Sequence, residues 1–157
     1  MKSLLLFTLL LFFGNYSAEA QKKEEINWLN WNQLENALEE TPKPVFLFFE
    51  ADWCVYCKKI EREVFTKASV ITTLNKQYYA LKMDAESTEN IAFDGVIFTN
   101  EQARTQRNGI HELPLLLASR EGVPFSLPAT VILDKQFSVQ QRVFEYYTSA
   151  QLLAMLD

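Results

Sequence analysis

The two cysteines of this chain, Cys54 and Cys57, are separated by two residues and follow an apolar run at residues 45–49. A charged segment with helical spacing comes after them, which places the pair at a strand-to-helix junction. A turn at that point holds two sulfurs close enough to bond. The unpaired N–H groups and the dipole at a helix start favour a thiolate on the first cysteine, and the thiolate is the nucleophile. The spacing therefore predicts a redox-active dithiol.

Other interpretations of the cysteine pair are weaker. Trp53 and the polar flanking residues favour partial exposure of the thiols, which disagrees with a buried structural pair. A structural zinc site takes four ligands, and the chain has one histidine, His111, and no further cysteine. An inert disulfide that closes so short a loop gives little entropic stabilisation. We therefore expect no metal ion and no cofactor, and we expect His111 to pack against or cap a helix.

Residues 1–20 have the pattern of a cleavable secretory signal peptide. Lys2 provides a basic start, residues 4–13 are mostly apolar, and Ala18-Glu19-Ala20 fits a small-x-small cleavage site. The apolar stretch is short for a membrane span, and a retained anchor is the alternative. The sequence predicts cleavage after Ala20 and one domain over residues 21–157, located in the periplasm or secreted.

The charge pattern limits the partners that we expect. The net charge is −5, and no cluster of basic residues indicates nucleic-acid binding. No later segment is long and apolar enough to cross a bilayer, and no Gly-rich phosphate-binding loop is present. We expect a monomer without stable membrane insertion.

Apolar spacing and turn residues divide the chain into helices and strands. The last two strands are joined by a tight turn and are therefore antiparallel, so we expect a mixed sheet. In order, the sequence predicts a helix at about 31–40, a strand at 45–50, helices at 54–65 and 69–76, strands at 78–84, 129–133 and 137–144, and a last helix capped by Thr148.

The 85–125 segment lies between the predicted strands at 78–84 and 129–133. Its Asp94-Gly95 and Asn108-Gly109 pairs predict turns. Residues 111–118 predict a short helix with Leu113, Leu116 and Leu117 inward. The segment is interpreted either as a partner-binding surface or as an additional structural hairpin and helix.

Two motifs resemble the thioredoxin superfamily. Residues 49–58 read Phe-Glu-Ala-Asp-Trp-Cys-Val-Tyr-Cys-Lys, and residues 126–134 read Ser-Leu-Pro-Ala-Thr-Val-Ile-Leu-Asp. The first motif is similar to that of exported bacterial thioredoxin-like proteins and of the C-terminal domain of the membrane reductant transporter. The resemblance implies a thioredoxin fold, an α/β architecture with a central mixed sheet flanked by helices. In it, the 85–125 segment is an insertion before the cis-proline strand.

The resemblance also implies roles for individual residues. Cys54 attacks a substrate disulfide, and Cys57 resolves the mixed disulfide. Trp53 shields the thiols and contacts substrate. Pro128 is the cis-proline that faces the cysteines, with Leu127 as a backbone contact for substrate.

A second proline, Pro124, competes with Pro128 for the cis-proline role. Pro128 is preferred because a predicted strand begins directly after it.

The sequence departs from the family at Phe48, six residues before the first cysteine, where the family often has a buried acid. The lysine that commonly pairs with that acid falls near Ala80. Glu50 lies two residues beyond Phe48 and so shares its strand face. We expect Glu50, or Asp52, to take over proton transfer to Cys57.

Together these features predict an exported thiol–disulfide oxidoreductase, resembling protein-disulfide reductases more than oxidases. Its expected partners are protein thiols and disulfides and, by resemblance, a membrane reductant transporter. One alternative is a non-catalytic thioredoxin-like module for binding or folding assistance. Another is delivery of reductant to a metal- or haem-assembly protein.

Overall fold

The computed structural model describes residues 24–157, so the predicted signal peptide at residues 1–20 lies outside the described part. The predicted order of helices and strands is confirmed, with one strand added before the first helix and two short strands added within the 85–125 segment. The elements are β1 (Trp28–Leu29), α1 (Trp31–Glu40), β2 (Val45–Glu50), α2 (Val55–Glu63), α3 (Ala68–Gln77), β3 (Tyr79–Asp84), β4 (Ile91–Phe93), β5 (Val96–Phe98), α4 (Glu112–Ala118), β6 (Ala129–Leu133), β7 (Val139–Val143) and α5 (Ser149–Leu156).

A mixed sheet with the strand order β1-β3-β2-β6-β7 forms the centre of the protein. β2 is parallel to β3 and antiparallel to β6, which confirms the predicted mixed sheet. Residues 45–49 of β2 are fully buried. An uninterrupted apolar strand is expected where helices cover both faces of the sheet.

The alternation of side chains along β2 divides the core into two clusters. Phe46 and Phe48 face the cluster that contains Cys54 and Cys57 and residues of α2, α3 and α5. Leu47 faces the second cluster, which α1 and α4 cover. Because successive strand residues point to opposite faces, the cysteines share one core with every second residue of β2.

Side-chain caps fix where two helices begin. Asn30 caps α1 and Thr148 caps α5. Each cap side chain accepts from the backbone N–H of the third helical residue, and each cap N–H donates to the side chain of that residue. Such capping boxes satisfy backbone N–H groups that have no partner within the helix. The prediction that Thr148 caps the last helix is confirmed, and Leu152 and Leu156 of that helix are buried.

The 85–125 segment forms a hairpin, a short 3₁₀ turn at Glu101–Arg104 and helix α4. The predicted turn at Asp94-Gly95 joins β4 to β5, and both residues have positive φ, at 50° and 71°. Gly109 is required for packing, because a Cβ there would lie 2.3 Å from the backbone nitrogen of Ala103.

Two details of the predicted elements are wrong. Leu116 was expected to point inward but is 63% exposed. The buried stripe of α4 includes Pro114 and Ala118, which turns Leu116 away from the core. Strand β7 begins at Val139 instead of residue 137, because Phe137 adopts a left-handed φ of 60° in the preceding turn.

Candidate active site

Cys54 and Cys57 form a disulfide between the end of β2 and the start of α2. Cys54 is the N-cap of α2, and its Sγ accepts a hydrogen bond from the backbone N–H of Cys57 at 3.2 Å. The carbonyl of Cys54 accepts the first helical bond, from the N–H of Lys58. The leading sulfur therefore lies at a helix N-terminus and accepts a hydrogen bond from a backbone N–H there, an arrangement that favours a thiolate once the disulfide is reduced.

The disulfide is less accessible than the sequence indicated. Cys54 is 3% exposed and Cys57 is fully buried, so the expected partial exposure is wrong for the disulfide form. The physical reason is that the helix start turns both sulfurs into the core that contains Phe48 and Ile60. The exposed side chains at this site are instead those of Trp53, Val55 and Tyr56, at 57%, 75% and 59%.

The segment before β6 lies beside the cysteine loop. The Leu127–Pro128 peptide bond is cis, whereas the bond before Pro124 is not. Ala129 pairs with Phe49 in the register of β6 and β2, which brings Pro128 next to the end of the strand that leads to the cysteines.

A cleft of about 440 Å³ opens between α2 and this segment. We call it the Pro128 cleft. Three of its lining residues are aromatic, and it joins the Cys-x-x-Cys helix to the cis peptide bond. Its lining residues are Tyr56, Leu127, Pro128, Phe144, Glu145 and Tyr146.

The indole of Trp53 is held by the 85–125 segment. Its Nε1–H donates to Oε1 of Glu86 at 2.7 Å. The same carboxylate accepts from Nδ2 of Asn108, at 2.9 Å and 3.0 Å to its two oxygens. Hydrogen bonds to an ionised acceptor are stronger than neutral ones. Trp53 therefore has a fixed orientation despite its exposure.

Glu50 is half-buried at the end of β2. Burial raises the pKa of its carboxyl group above the ordinary value, and the nearby carboxylate of Glu61 adds to the effect, while the ammonium of Lys82 opposes it. A carboxyl group with a raised pKa is better matched to proton transfer near neutral pH. Asp52, the alternative candidate, is exposed.

The register between β2 and β3 shows which residues lie beside Phe48. Ala80 lies opposite Phe46, and Lys82 lies opposite Phe48. Lys82 forms an ion pair with Glu61 on α2.

His111 is the N-cap of α4, as expected. Its Nδ1 accepts from the N–H of Leu113 at 3.1 Å, and its Nε2 lies 3.1 Å from the carbonyl oxygen of Glu89. The ring is therefore neutral, with its proton on Nε2, where it donates to that carbonyl. Burial lowers the pKa of His111. His111 therefore joins two parts of the 85–125 segment, at Glu89 and at the start of α4, and has no contact with the disulfide.

Several residues near the site were not found from the sequence. Through the tertiary fold, Glu86 bonds Trp53 and is bonded by Asn108, Arg120 bonds the residue before Leu127, and Phe144 lines the Pro128 cleft. They lie outside both motifs, and no local pattern marks them.

Over residues 24–157, no helix is long and apolar enough to cross a bilayer. In the same range, no group of three or more His, Cys, Asp or Glu side chains is arranged to hold a metal ion.

Solved structures with the same fold include an oxidoreductase named DsbH. It is 16% identical, with a TM-score of 0.58, over 83% of this chain and 82% of that one. The oxidised C-terminal domain of DsbD from Neisseria meningitidis is 19% identical, with a TM-score of 0.51, over 82% of this chain and 94% of that one. At these identities the likeness shows the fold alone.

A curated relative, the thiol:disulfide interchange protein DsbD of Vibrio vulnificus (strain YJ016), is 38% identical over 88 residues. The match covers 53% of this chain and only 14% of the length of that protein. A family model described as thioredoxin-like matches residues 27–134, which is more than half of the chain. The protein described here therefore belongs to the thioredoxin-like family.

Proposed function

We propose that this protein is a thiol–disulfide oxidoreductase that acts on other proteins, more as a reductase than as an oxidase. The observation that carries the proposal is the Cys54–Cys57 disulfide at the start of α2, beside the cis Leu127–Pro128 bond. Similarity to the thiol:disulfide interchange protein DsbD supports it.

In the proposed reaction, the thiolate of Cys54 attacks one sulfur of a substrate disulfide. A bond forms between Cys54 and that sulfur, and the other substrate sulfur leaves as a thiolate and takes a proton. Cys57 then loses its proton and attacks Sγ of Cys54, which releases the second substrate thiol. Two electrons pass to the substrate, and the protein ends in the disulfide form described above.

Three residues are proposed to contact the substrate. Trp53 offers an exposed indole beside Cys54. Leu127 and Pro128 line the Pro128 cleft together with Tyr56 of the Cys-x-x-Cys helix. An extended substrate chain would pair with the backbone at Leu127, in the bend that precedes β6, since main-chain hydrogen bonds give affinity for such a chain.

Glu50 is proposed to move the proton of Cys57. Its raised pKa and its position on the strand face of Phe48, which packs in the cysteine core, support this role. The test is Glu50→Gln, with Asp52→Asn as the matched control. We expect the glutamine variant alone to slow resolution of the mixed disulfide and to change its pH profile. An unchanged rate across pH would reject the role of Glu50.

Export and re-reduction by a membrane reductant transporter are further parts of the proposal. The signal-peptide pattern of residues 1–20 supports export, and the similarity to DsbD supports a partner of that class. Fractionation of cells that express the full chain tests the location. The redox state of Cys54 in cells lacking such a transporter tests the partner, and a shift to the disulfide form is expected.

The decisive experiment is reduction of insulin, with Cys54→Ala as the control. Equilibration of the purified protein with glutathione then gives the reduction potential, which decides the direction of electron flow. A potential above that of protein disulfide isomerase would contradict the reductase assignment.

A binding or folding-assistance module is the second candidate function. The near-complete burial of both sulfurs favours it, since a buried disulfide exchanges slowly. In the insulin experiment, a wild type that is no faster than Cys54→Ala would support this candidate.

A further inference from the structure

Arg120, in the 85–125 segment, contacts two residues beside the Pro128 cleft. Its guanidinium carbon lies 3.8 Å from the centroid of the Phe144 ring, close enough for a stacked cation–π contact. Its Nη2 donates to Oγ of Ser126 at 2.9 Å. Ser126 precedes Leu127 and the cis bond, so one side chain reaches both the ring and the loop that line the cleft.

The backbone around Arg120 is itself ordered by a tight turn. Val123 donates its N–H to the carbonyl of Arg120 at 3.3 Å, and the two residues form an isolated β-bridge. Gly122 supplies the positive φ, at 68°, that this turn requires. The Arg120 side chain therefore extends from a fixed point, and it is half-buried.

Only an arginine can make both contacts together. The planar guanidinium stacks on an aromatic face while its N–H groups remain directed to acceptors in the plane. A lysine ammonium is a point charge, and it could contact either the ring of Phe144 or the hydroxyl of Ser126, but not both at once.

We propose that Arg120 is a positioning residue that shapes the Pro128 cleft for polypeptide substrates. It holds Phe144 and the 126–128 loop in place, so that an extended chain can lie beside Cys54. The inference rests on the proposed thiol–disulfide activity and adds a residue that distinguishes two substrate classes. Reduction of protein disulfides depends on Arg120, whereas reduction of small disulfides, which do not fill the cleft, does not.

The experiment compares reduction of insulin with reduction of 2-hydroxyethyl disulfide in Arg120→Gln and Arg120→Lys. The matched control is Arg142→Gln. Nε of Arg142 donates to the carbonyl of Leu117, so this control also removes a hydrogen bond to the 85–125 segment, but neither residue lines the cleft. For both Arg120 variants we expect KM for insulin to rise roughly tenfold, a loss of about 1.4 kcal/mol. We expect kcat and the rate with the small disulfide to stay within about twofold, and the control to match wild type.

An unchanged KM for insulin in Arg120→Gln, or an equal rise in Arg142→Gln, would overturn the proposal. If the proposed thiol–disulfide activity itself were absent, the result would be different, because wild type would reduce neither insulin nor 2-hydroxyethyl disulfide. In that case the backbone order parameter of Leu127, measured by ¹⁵N relaxation, decides the question. It should fall in Arg120→Gln and not in Arg142→Gln, and no difference between them would reject a positioning role.

Discussion

Lys82 lies directly opposite Phe48 in the parallel register of β2 and β3, yet its ammonium pairs with Glu61 on α2. The ammonium also lies 6.0 Å from the centroid of the Trp28 ring. An aromatic ring thus occupies the strand position where the family often has an acid, and the lysine charge is directed to a neighbouring helix. Glu50, the next residue on this face, is consequently near two groups of opposite charge, Glu61 and Lys82.

Glu50→Gln should have a more favourable effect on the free energy of unfolding, relative to wild type, at pH 7 than at pH 4. Burial first, and then Glu61, raise the pKa of Glu50 in the native state. The native state therefore binds this proton more tightly than the unfolded state does. The stability contributed by protonated Glu50 is present below the unfolded pKa and is lost as pH rises through the native pKa. Glutamine does not ionise, so the variant does not lose this stability as pH rises.

Urea unfolding at the two pH values measures the effect of Glu50→Gln. Asp52→Asn is the control, because an exposed substitution is expected to change stability by no more than about 0.5 kcal/mol. A Glu50→Gln variant whose stability relative to wild type is the same at both pH values would contradict the raised pKa.

The Cys-x-x-Cys junction and most of the sheet were predictable because their signals are local. The apolar run of β2, the cap at Thr148 and the turn at Asp94-Gly95 each depend on neighbouring residues. β1 was missed because its two residues form a strand only by pairing with β3.

The contacts around the site were not predictable, because they join distant parts of the chain. Trp53 and Glu86 are 33 residues apart, and the hydrogen bond between them has no sequence signature. The burial of Cys54 depends likewise on packing against other elements of its core. The sequence therefore predicted which residue types lie beside the dithiol, but it did not predict their orientation or their accessibility.

Removing one partner of the buried hydroxyl pair Thr130–Tyr147 should destabilise the protein. The two oxygens are 2.8 Å apart, and both residues, Thr130 on β6 and Tyr147 just before α5, are almost fully buried. Tyr147→Phe leaves the Thr130 hydroxyl unsatisfied, which should cost about 1–3 kcal/mol. The double variant Tyr147→Phe with Thr130→Val should cost less than the sum of the single changes.

A double-mutant cycle from urea unfolding measures this coupling. Tyr78→Phe is the control, because its hydroxyl bonds the carbonyl of Leu156 in a half-buried position. We expect a loss of about 0.5–1.5 kcal/mol for it. Additive losses in the cycle would show that the two buried hydroxyls do not depend on each other.

Stability should fall between pH 7 and pH 5 because of His111. Burial lowers its pKa in the native state, and the bonds to Glu89 and the charge of Glu112 only partly oppose this. The unfolded state therefore binds a proton at His111 more tightly than the native state does. The contribution is present above the unfolded pKa, near 6.5, and is lost as pH falls toward the native pKa, by at most about 1.4 kcal/mol per pH unit.

The variant His111→Asn isolates this contribution. Asparagine can still cap α4 by accepting from the N–H of Leu113, but it does not titrate. We expect lower stability at pH 7 and a smaller fall toward pH 5 than in wild type, measured by urea unfolding. A fall of the same size in both proteins would assign the pH dependence to other groups.

Glu86→Ala should release the Trp53 indole. The indole N–H is held by the Glu86 carboxylate, which Asn108 orients through two short contacts. We expect hydrogen exchange at Nε1 of Trp53 to accelerate roughly tenfold, because a charge-assisted bond worth about 1.5 kcal/mol or more is lost. Asn108→Ala should give a smaller acceleration, since the carboxylate remains but is less well oriented.

Two internal references make this measurement specific. The indole N–H of Trp31 points to Sδ of Met83 in the core, so its exchange should be the same in wild type and Glu86→Ala. Glu89→Ala removes an exposed carboxylate from the same segment and should leave Trp53 unchanged. If Trp31 accelerated together with Trp53, the change would be a general loosening of the fold. If neither accelerated, the 85–125 segment would not orient the tryptophan beside Cys54.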